Sequence, residues 1–376
     1  MTYCAAFSSE EAIILTTDTA ESKLIRNIAD GTFPRENTFF GETTQFDDFE
    51  LSDRALKIFL VSEKRLVAAA GDKDCIYKAV SFLRQHSNEH LFMSTLFQSL
   101  ENSMDFERDQ VKLFCAEHCE SSLVLGCWCS GRGLSHPSNK FGKSADAVLT
   151  GSAKNGFEFV TKNVSRMLSN IENKTIAHTL TLVNSYHQLV GIHASTTKQR
   201  FGGTYVSAAM TKSGVVWQPD VTYLIYSPSE LTPEVTKLQA FEAINVFVRN
   251  ELLFVERRTP VHRNILMAPH FSKEEVEKRI HKVGADMIEK ALKLGSDYKV
   301  FLSRETPYAV MLHHFDPEYC VKAEFKTDMA TMSFSPDFYQ LLQSKPELPS
   351  SQGAAKIEVV PRGLLSNGYT QPRFKK

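Results

Sequence analysis

The first two residues, Met1 and Thr2, carry the most specific chemistry in the sequence. Aminopeptidases remove an initiator methionine that precedes a small residue, so processing would leave Thr2 with a free α-amine. An N-terminal threonine combines a nucleophile and a base, because its hydroxyl attacks a carbonyl while its own α-amine accepts the proton. An unperturbed α-amine has a pKa of about 8, which suits proton transfer near neutral pH. Thr2 is therefore the candidate nucleophile, and a strand residue without chemistry is the alternative.

Four further residues stand at the ends of the elements that would have to surround Thr2. Asp18 ends the second strand of a predicted hairpin that starts at the beginning of the chain. Lys57 opens a second predicted hairpin, and Gly71 follows the last strand of that hairpin. Ser152 lies between a predicted strand and a predicted helix, where it would also suit an N-cap. The alternative role for Lys57 is that of a surface lysine at a strand start.

In this order, the residues resemble the proteasome β-subunit family of N-terminal nucleophile (Ntn) hydrolases and its bacterial ring-protease relatives. Asp18 lies 16 residues after Thr2, which is the family's spacing for the aspartate that steadies the site. The family's lysine opens a strand, as Lys57 does, and its next hairpin ends in Ala-Gly, as in Ala70-Gly71. Ser152 matches the serine of the family's Gly-Ser-Gly turn.

The resemblance implies a role for each of these residues. Thr2 would attack the carbonyl, Lys57 would favour the alkoxide electrostatically, and Asp18 would orient Lys57. The Gly71 N–H would stabilise the oxyanion, and such a donor is worth about 3–4 kcal/mol of the activation barrier. Ser152 would support the amine. The resemblance also implies a peptide or protein substrate, no cofactor and assembly into a homo-oligomer.

One segment departs from the family's pattern. The family has an aspartate, two further residues and Ser-Gly-Gly before its last hairpin, whereas this chain has Lys198 and Phe201 at the aspartate and serine positions before Gly202-Gly203. This departure favours the alternative interpretation, a non-catalytic protein of the same fold that serves assembly or partner binding. Hydrolysis of a small-molecule amide on the same scaffold is a third interpretation.

Composition and charge narrow the functional classes. The net charge is -1, so no basic excess is present to neutralise phosphates, and nucleic acid is not an expected partner. The sequence has no apolar stretch long enough to span a membrane and no signal-peptide pattern, so neither a membrane partner nor secretion is expected. Seven cysteines in no disulfide-like framework favour a cytoplasmic location.

Four clustered cysteines and two histidines raise the alternative of a zinc site. The cluster consists of Cys115, His118, Cys119, Cys127, Cys129 and His136. Its spacing lacks the closely spaced cysteine pairs typical of structural zinc sites, and Cys127 and Cys129 alternate along a strand-like run. We therefore expect core thiols and no metal site.

The order of the predicted elements indicates the fold. Strand pairs, two helices, strand pairs, two helices and a final strand pair suggest antiparallel sheets with helices layered on them. We predict an α+β protein, with an αββα sandwich of the Ntn-hydrolase type at residues 2–220, a C-terminal α/β extension at 221–343 and a mobile tail at 344–376. Within the extension, residues 232–255 and 273–294 are predicted helices.

Overall fold

The computed structural model is built mainly of strands joined into several sheets. The described residues are 3–24, 45–46, 49–53, 55–87, 92–120, 122–136, 146–151, 158–169, 175–193, 203–231, 236–237, 241–249, 251–258, 263–268, 296–313, 321–326, 329–344 and 355–360. The strands are β1 (Tyr3–Ser8), β2 (Ala12–Asp18), β3 (Ala20–Leu24), β4 (Gln45–Phe46), β5 (Phe49–Asp53), β6 (Ile58–Ser62), β7 (Arg65–Gly71), β8 (Val111–Cys119), β9 (Ser122–Cys129), β10 (Gly133–Ser135), β11 (Asp146–Gly151), β12 (Tyr205–Thr211), β13 (Gly214–Trp217), β14 (Val221–Tyr226), β15 (Thr236–Lys237), β16 (Phe241–Arg249), β17 (Leu252–Arg258), β18 (Arg263–Ala268), β19 (Tyr298–Ser303), β20 (Tyr308–His313), β21 (Val321–Lys326), β22 (Met329–Phe334) and β23 (Lys356–Val359). The helices are α1 (Lys73–Gln85), α2 (Met93–Ser103), α3 (Glu158–Ser169), α4 (Ile176–His193) and α5 (Pro336–Gln343), with a 3-10 turn at Pro228–Glu230.

Two five-stranded sheets, with strand orders β11-β1-β2-β12-β13 and β10-β9-β8-β7-β6, pack against each other. Strand side chains alternate between faces, so each strand supplies apolar residues to both of its surfaces. Ile13 and Leu15 of the first sheet share one buried cluster with Leu66 and Ala68 of the second. Helices α1 and α2 cover the outer face of the second sheet, and α3 and α4 cover the outer face of the first.

A third sheet of seven strands lies against helix α4. Its strand order is β18-β17-β16-β14-β19-β20-β23, and α4 contacts β19, β20 and β23 as well as β12 of the first sheet. Residues 179–191 of α4 are therefore buried all round. The other face of the seven-stranded sheet packs on α5 through Phe338 and Leu342.

As a description of the whole chain, the predicted fold class, an αββα sandwich with a C-terminal α/β extension, is wrong. The protein is β-rich, because the described residues form 23 strands against five α-helices and the largest sheet is built mainly from the region predicted as α/β. Residues 241–249 lie within the predicted helix 232–255 and residues 252–258 overlap its end, but both segments are adjacent antiparallel strands. Ile244, Val246 and Val248 explain the difference, since β-branched residues at every second position favour a strand with one buried face.

Other local predictions have mixed outcomes. The two predicted N-terminal hairpins are confirmed as β1–β2 and β6–β7. The helix predicted at 273–294 lies outside the described residues. Within the segment predicted as a mobile tail, residues 356–359 form β23 and pair in parallel with β20.

Candidate functional site

Asp18 and Lys57 form a buried ion pair beside the start of β1. Lys57 Nζ lies 2.7 Å from Asp18 Oδ1, and the side chains of Lys57 and Asp18 are 9% and 0% exposed. Lys57 Nζ also donates a hydrogen bond to the Ala20 carbonyl at 2.6 Å. Asp18 ends the second strand of one sheet and Lys57 precedes the first strand of the facing sheet, so the packing of the two sheets brings them together.

The backbone of Tyr3 connects this ion pair to the start of the chain. The Tyr3 N–H donates to Asp18 Oδ1 at 3.0 Å, so one carboxylate oxygen accepts from both Tyr3 and Lys57. Thr2 and Ser152 lie outside the described residues. In the chain, Thr2 precedes Tyr3 and Ser152 follows Gly151. Tyr3 and Gly151 are paired across β1 and β11.

Gly71 ends β7 in the same hairpin that Lys57 opens. The Ala69 N–H donates a hydrogen bond to the Lys57 carbonyl at 2.9 Å. Gly71 follows Ala69 by two residues in the same strand. The φ angle of Gly71 is +135°, and a Cβ atom there would lie 2.1 Å from the Gln110 carbonyl oxygen. Only glycine fits this position without a backbone shift. The structure therefore pairs Lys57 with Asp18 and places the Gly71 backbone at the same end of the β6–β7 hairpin as Lys57.

Sequence reasoning missed the side-chain anchor of Tyr3. The Tyr3 hydroxyl is hydrogen-bonded to His187 Nε2 of α4 and lies 3.5 Å from Thr161 Oγ1 of α3. His187 Nδ1 lies 2.7 Å from the Val183 carbonyl oxygen, and the ring of Tyr205 completes an aromatic cluster with Tyr3 and His187. The adjacency of Tyr3 to Thr2 was the available signal, but no sequence pattern connects Tyr3 to a helix more than 170 residues away.

The buried imidazole of His187 makes stability depend on pH. Burial lowers the pKa of His187 from its usual 6.5 to about 4, and the hydrogen bond to Val183 only partly opposes that shift. The unfolded chain therefore takes up a proton at a higher pH than the folded chain, so this stability is fully present above pH 6.5 and is lost as the pH falls toward 4. We expect His187 to account for a loss of about 2 kcal/mol in the free energy of unfolding between about pH 7 and about pH 5.

Urea unfolding at both pH values measures this loss. In His187→Gln the difference in unfolding free energy between the two pH values should shrink by about 2 kcal/mol. The control variant is His136→Gln, which removes a histidine whose side chain is exposed. An unchanged pH dependence in His187→Gln would contradict the assignment.

The cysteine cluster does not form a metal site in the described part of the chain. No group of three or more His, Cys, Asp or Glu side chains among these residues is placed to hold a metal ion. Burial raises the pKa of Cys129 to about 11, and its thiol donates to Asp109 Oδ1 at 3.0 Å. Burial also raises the pKa of Cys4 well above its usual value, which keeps that thiol protonated and weakly nucleophilic.

The residues that depart from the Ntn-hydrolase pattern, Lys198 and Phe201, lie outside the described residues. None of the helices in the described ranges is both long and apolar enough to cross a membrane. No protein-family model matches the chain, and no curated protein matches it in sequence. Function is therefore inferred from the geometry around Asp18, Lys57 and Gly71.

Proposed function

We propose that the chain is a threonine-type amidohydrolase that cleaves peptides, with Thr2 as its nucleophile once Met1 is removed. One observation carries the proposal. Lys57 and Asp18 form a buried ion pair, and Asp18 accepts a hydrogen bond from the N–H of Tyr3, the residue that follows the candidate nucleophile. A buried cation next to an N-terminal hydroxyl is an arrangement that stabilises an alkoxide.

Lys57 has the hydrogen-bonding capacity that this role requires. Its ammonium group has three N–H donors, and the bonds to Asp18 and Ala20 occupy two of them. In the proposed mechanism the third donor is directed at the Thr2 hydroxyl. A unit charge about 4 Å from an alkoxide is worth about 4 kcal/mol at an effective dielectric constant of about 20. Asp18 holds the ammonium group in place through the ion pair.

The reaction proceeds through an acyl-enzyme. Thr2 Oγ1 attacks the amide carbonyl carbon while the Thr2 α-amine takes the hydroxyl proton and then delivers it to the leaving amine. The Gly71 N–H stabilises the negative oxygen of the tetrahedral intermediate. Helix α1 starts at Lys73, so the positive end of its dipole lies two residues along the chain from that donor. Water then hydrolyses the ester and regenerates Thr2.

Location and assembly are part of the same proposal. The six cysteines in the described residues are free thiols, which supports a reducing compartment such as the cytoplasm. By resemblance to the ring-forming Ntn hydrolases, we propose a homo-oligomer with a peptide or protein substrate and no cofactor, nucleic acid or membrane partner.

Intact-mass measurement tests the mechanism directly. The protein is weighed before and after treatment with a peptide electrophile that requires both the hydroxyl and the free α-amine of an N-terminal threonine. We expect loss of Met1 and one covalent adduct in wild type, and no adduct in Thr2→Ala, which should unfold at the same temperature as wild type. Thr2→Ser retains hydroxyl and amine and is the matched control that should still react.

Two results would contradict the proposal. Retention of Met1 with no adduct would replace it with the alternative of a non-catalytic protein that serves assembly or partner binding, which Lys198 and Phe201 favour. Peptide turnover at the wild-type rate in Thr2→Ala would exclude Thr2 as the nucleophile.

A further inference from the structure

Tyr3 is held at both its backbone and its side chain, by the neighbouring strand β2 and by helix α4. Its N–H binds Asp18, whereas its hydroxyl binds His187 beneath the helices that cover the first sheet. Tyr3 is fully buried, so neither contact is shared with bulk solvent. A residue fixed at both points has little freedom to rotate.

The tautomer of His187 follows from its partners. The Val183 carbonyl can only accept a hydrogen bond, so His187 Nδ1 carries the proton. In the neutral ring Nε2 is then an acceptor, and the Tyr3 O–H donates to it. The lowered pKa of His187 agrees with a ring that stays neutral near pH 7. The bond therefore has a defined direction, from Tyr3 to His187.

The seven-stranded sheet fixes the helix that carries His187. His193, the last residue of α4, donates from Nε2 to the Ser303 carbonyl of β19 at 2.9 Å. Near the other end of α4, the His178 ring lies 5.8 Å from the Tyr298 ring of the same strand. The C-terminal part of the chain thus holds α4 at both ends, on the side away from the first sheet.

We propose that His187 is a positioning residue for the reaction of Thr2, because it holds Tyr3, the residue that follows Thr2, beside the Asp18–Lys57 pair. This inference rests on the proposed function of Thr2 as nucleophile. It assigns the seven-stranded sheet a role in the reaction, since that sheet holds α4 and α4 holds Tyr3. Nothing in this role requires His187 to touch the substrate.

The test compares variants that remove or keep the Tyr3–His187 hydrogen bond. Tyr3→Phe deletes the donor with the loss of one oxygen atom, and His187→Leu deletes the acceptor. His187→Gln keeps an acceptor near the position of Nε2 and is the conservative rescue. Tyr186→Phe is the matched control, because the Tyr186 hydroxyl lies on the same helix but bonds to Asn163.

Two readouts are measured for each variant. The first is the rate of adduct formation against electrophile concentration, which separates the maximal rate from the half-saturating concentration. We expect Tyr3→Phe and His187→Leu to lower the maximal rate by about 10²-fold with little change in half-saturation, because a shift of about 1 Å in a reacting group has that effect. The second is amide hydrogen exchange of the N-terminal peptide, which should accelerate in these two variants and stay at the wild-type rate in His187→Gln and Tyr186→Phe.

The outcomes separate this inference from the proposed function. An unreactive wild-type protein would refute the function of Thr2, and with it the positioning role, even if exchange showed that the hydrogen bond anchors the strand. A reactive wild type whose maximal rate is unchanged in Tyr3→Phe would overturn the positioning role alone. Tyr3→Phe keeps the ring and its packing, so the test stands if His187→Leu does not fold.

Discussion

Lys57→Met is expected to abolish hydrolysis and to lower the free energy of unfolding by about 3–5 kcal/mol, because the buried Asp18 carboxylate loses its ammonium partner. The side chain of Asp18 is 0% exposed, and its Oδ1 atom would lose the ammonium group 2.7 Å away. The loss of activity has a separate cause, since the variant also removes the cation proposed to stabilise the Thr2 alkoxide. Urea unfolding and peptide turnover measure the two effects.

A second substitution separates the two effects. Asp18→Asn in the Lys57→Met background removes the buried negative charge of residue 18, while the new amide oxygen can still accept a hydrogen bond from the Tyr3 N–H. We expect this double variant to recover most of the lost stability and none of the activity. Recovery of turnover together with stability would show that Lys57 has only a structural role.

The matched control is a second buried ion pair, which lies within the second five-stranded sheet. Arg65 Nη2 lies 2.7 Å from Glu117 Oε1, and both side chains are nearly as buried as the Asp18–Lys57 pair. Arg65 stands at the opposite end of β7 from Gly71, about 20 Å away for six residues of strand. Arg65→Met should therefore destabilise the fold by a similar amount while turnover per folded molecule stays at the wild-type value. An equal loss of turnover in Arg65→Met would mean that activity follows stability alone.

Gly71→Ala is expected to destabilise the protein by about 3 kcal/mol or more and to lower turnover sharply. The φ angle of +135° is strained for any residue with a side chain, at about 1–3 kcal/mol. The new methyl group would also lie 2.1 Å from the Gln110 carbonyl oxygen, so the backbone must shift, at a further cost of about 1–3 kcal/mol. The same shift would displace the Gly71 N–H from the oxyanion position, and turnover of the folded fraction measures that displacement.

Gly214→Ala separates the two effects expected in Gly71→Ala, the backbone strain of a positive φ angle and the steric overlap of the new methyl group. Its φ angle is +116°, but a Cβ atom there would meet no atom within 4 Å. Gly214→Ala should therefore show the cost of the positive φ angle alone, with normal turnover. Equal stability and equal turnover in Gly71→Ala and Gly214→Ala would remove Gly71 from the proposed site.

Local elements of the N-terminal region could be predicted because short-range patterns determine them. The hairpins β1–β2 and β6–β7 follow from apolar runs separated by polar turns, and α1 follows from helix-spaced apolar residues. Asp72 and Asp74 are both candidate N-caps by residue type, and in the structure Asp72 is the N-cap. The region after residue 220 was harder to predict. Residues 232–255 are predicted as a helix, but the strands β16 and β17 pair with each other and bury the alternate β-branched residues of 241–249.

The amino-acid sequence by itself determined which groups are available for chemistry: a threonine after Met1, and Asp18, Lys57 and Gly71 at the ends of hairpin strands. Only the tertiary structure decided that Lys57 binds Asp18 in a buried pair and that His187 binds the Tyr3 hydroxyl. The physical reason is that both contacts join elements that are distant in sequence, across packed sheets and helices. Such contacts depend on the packing of whole layers, which no local pattern of residues specifies.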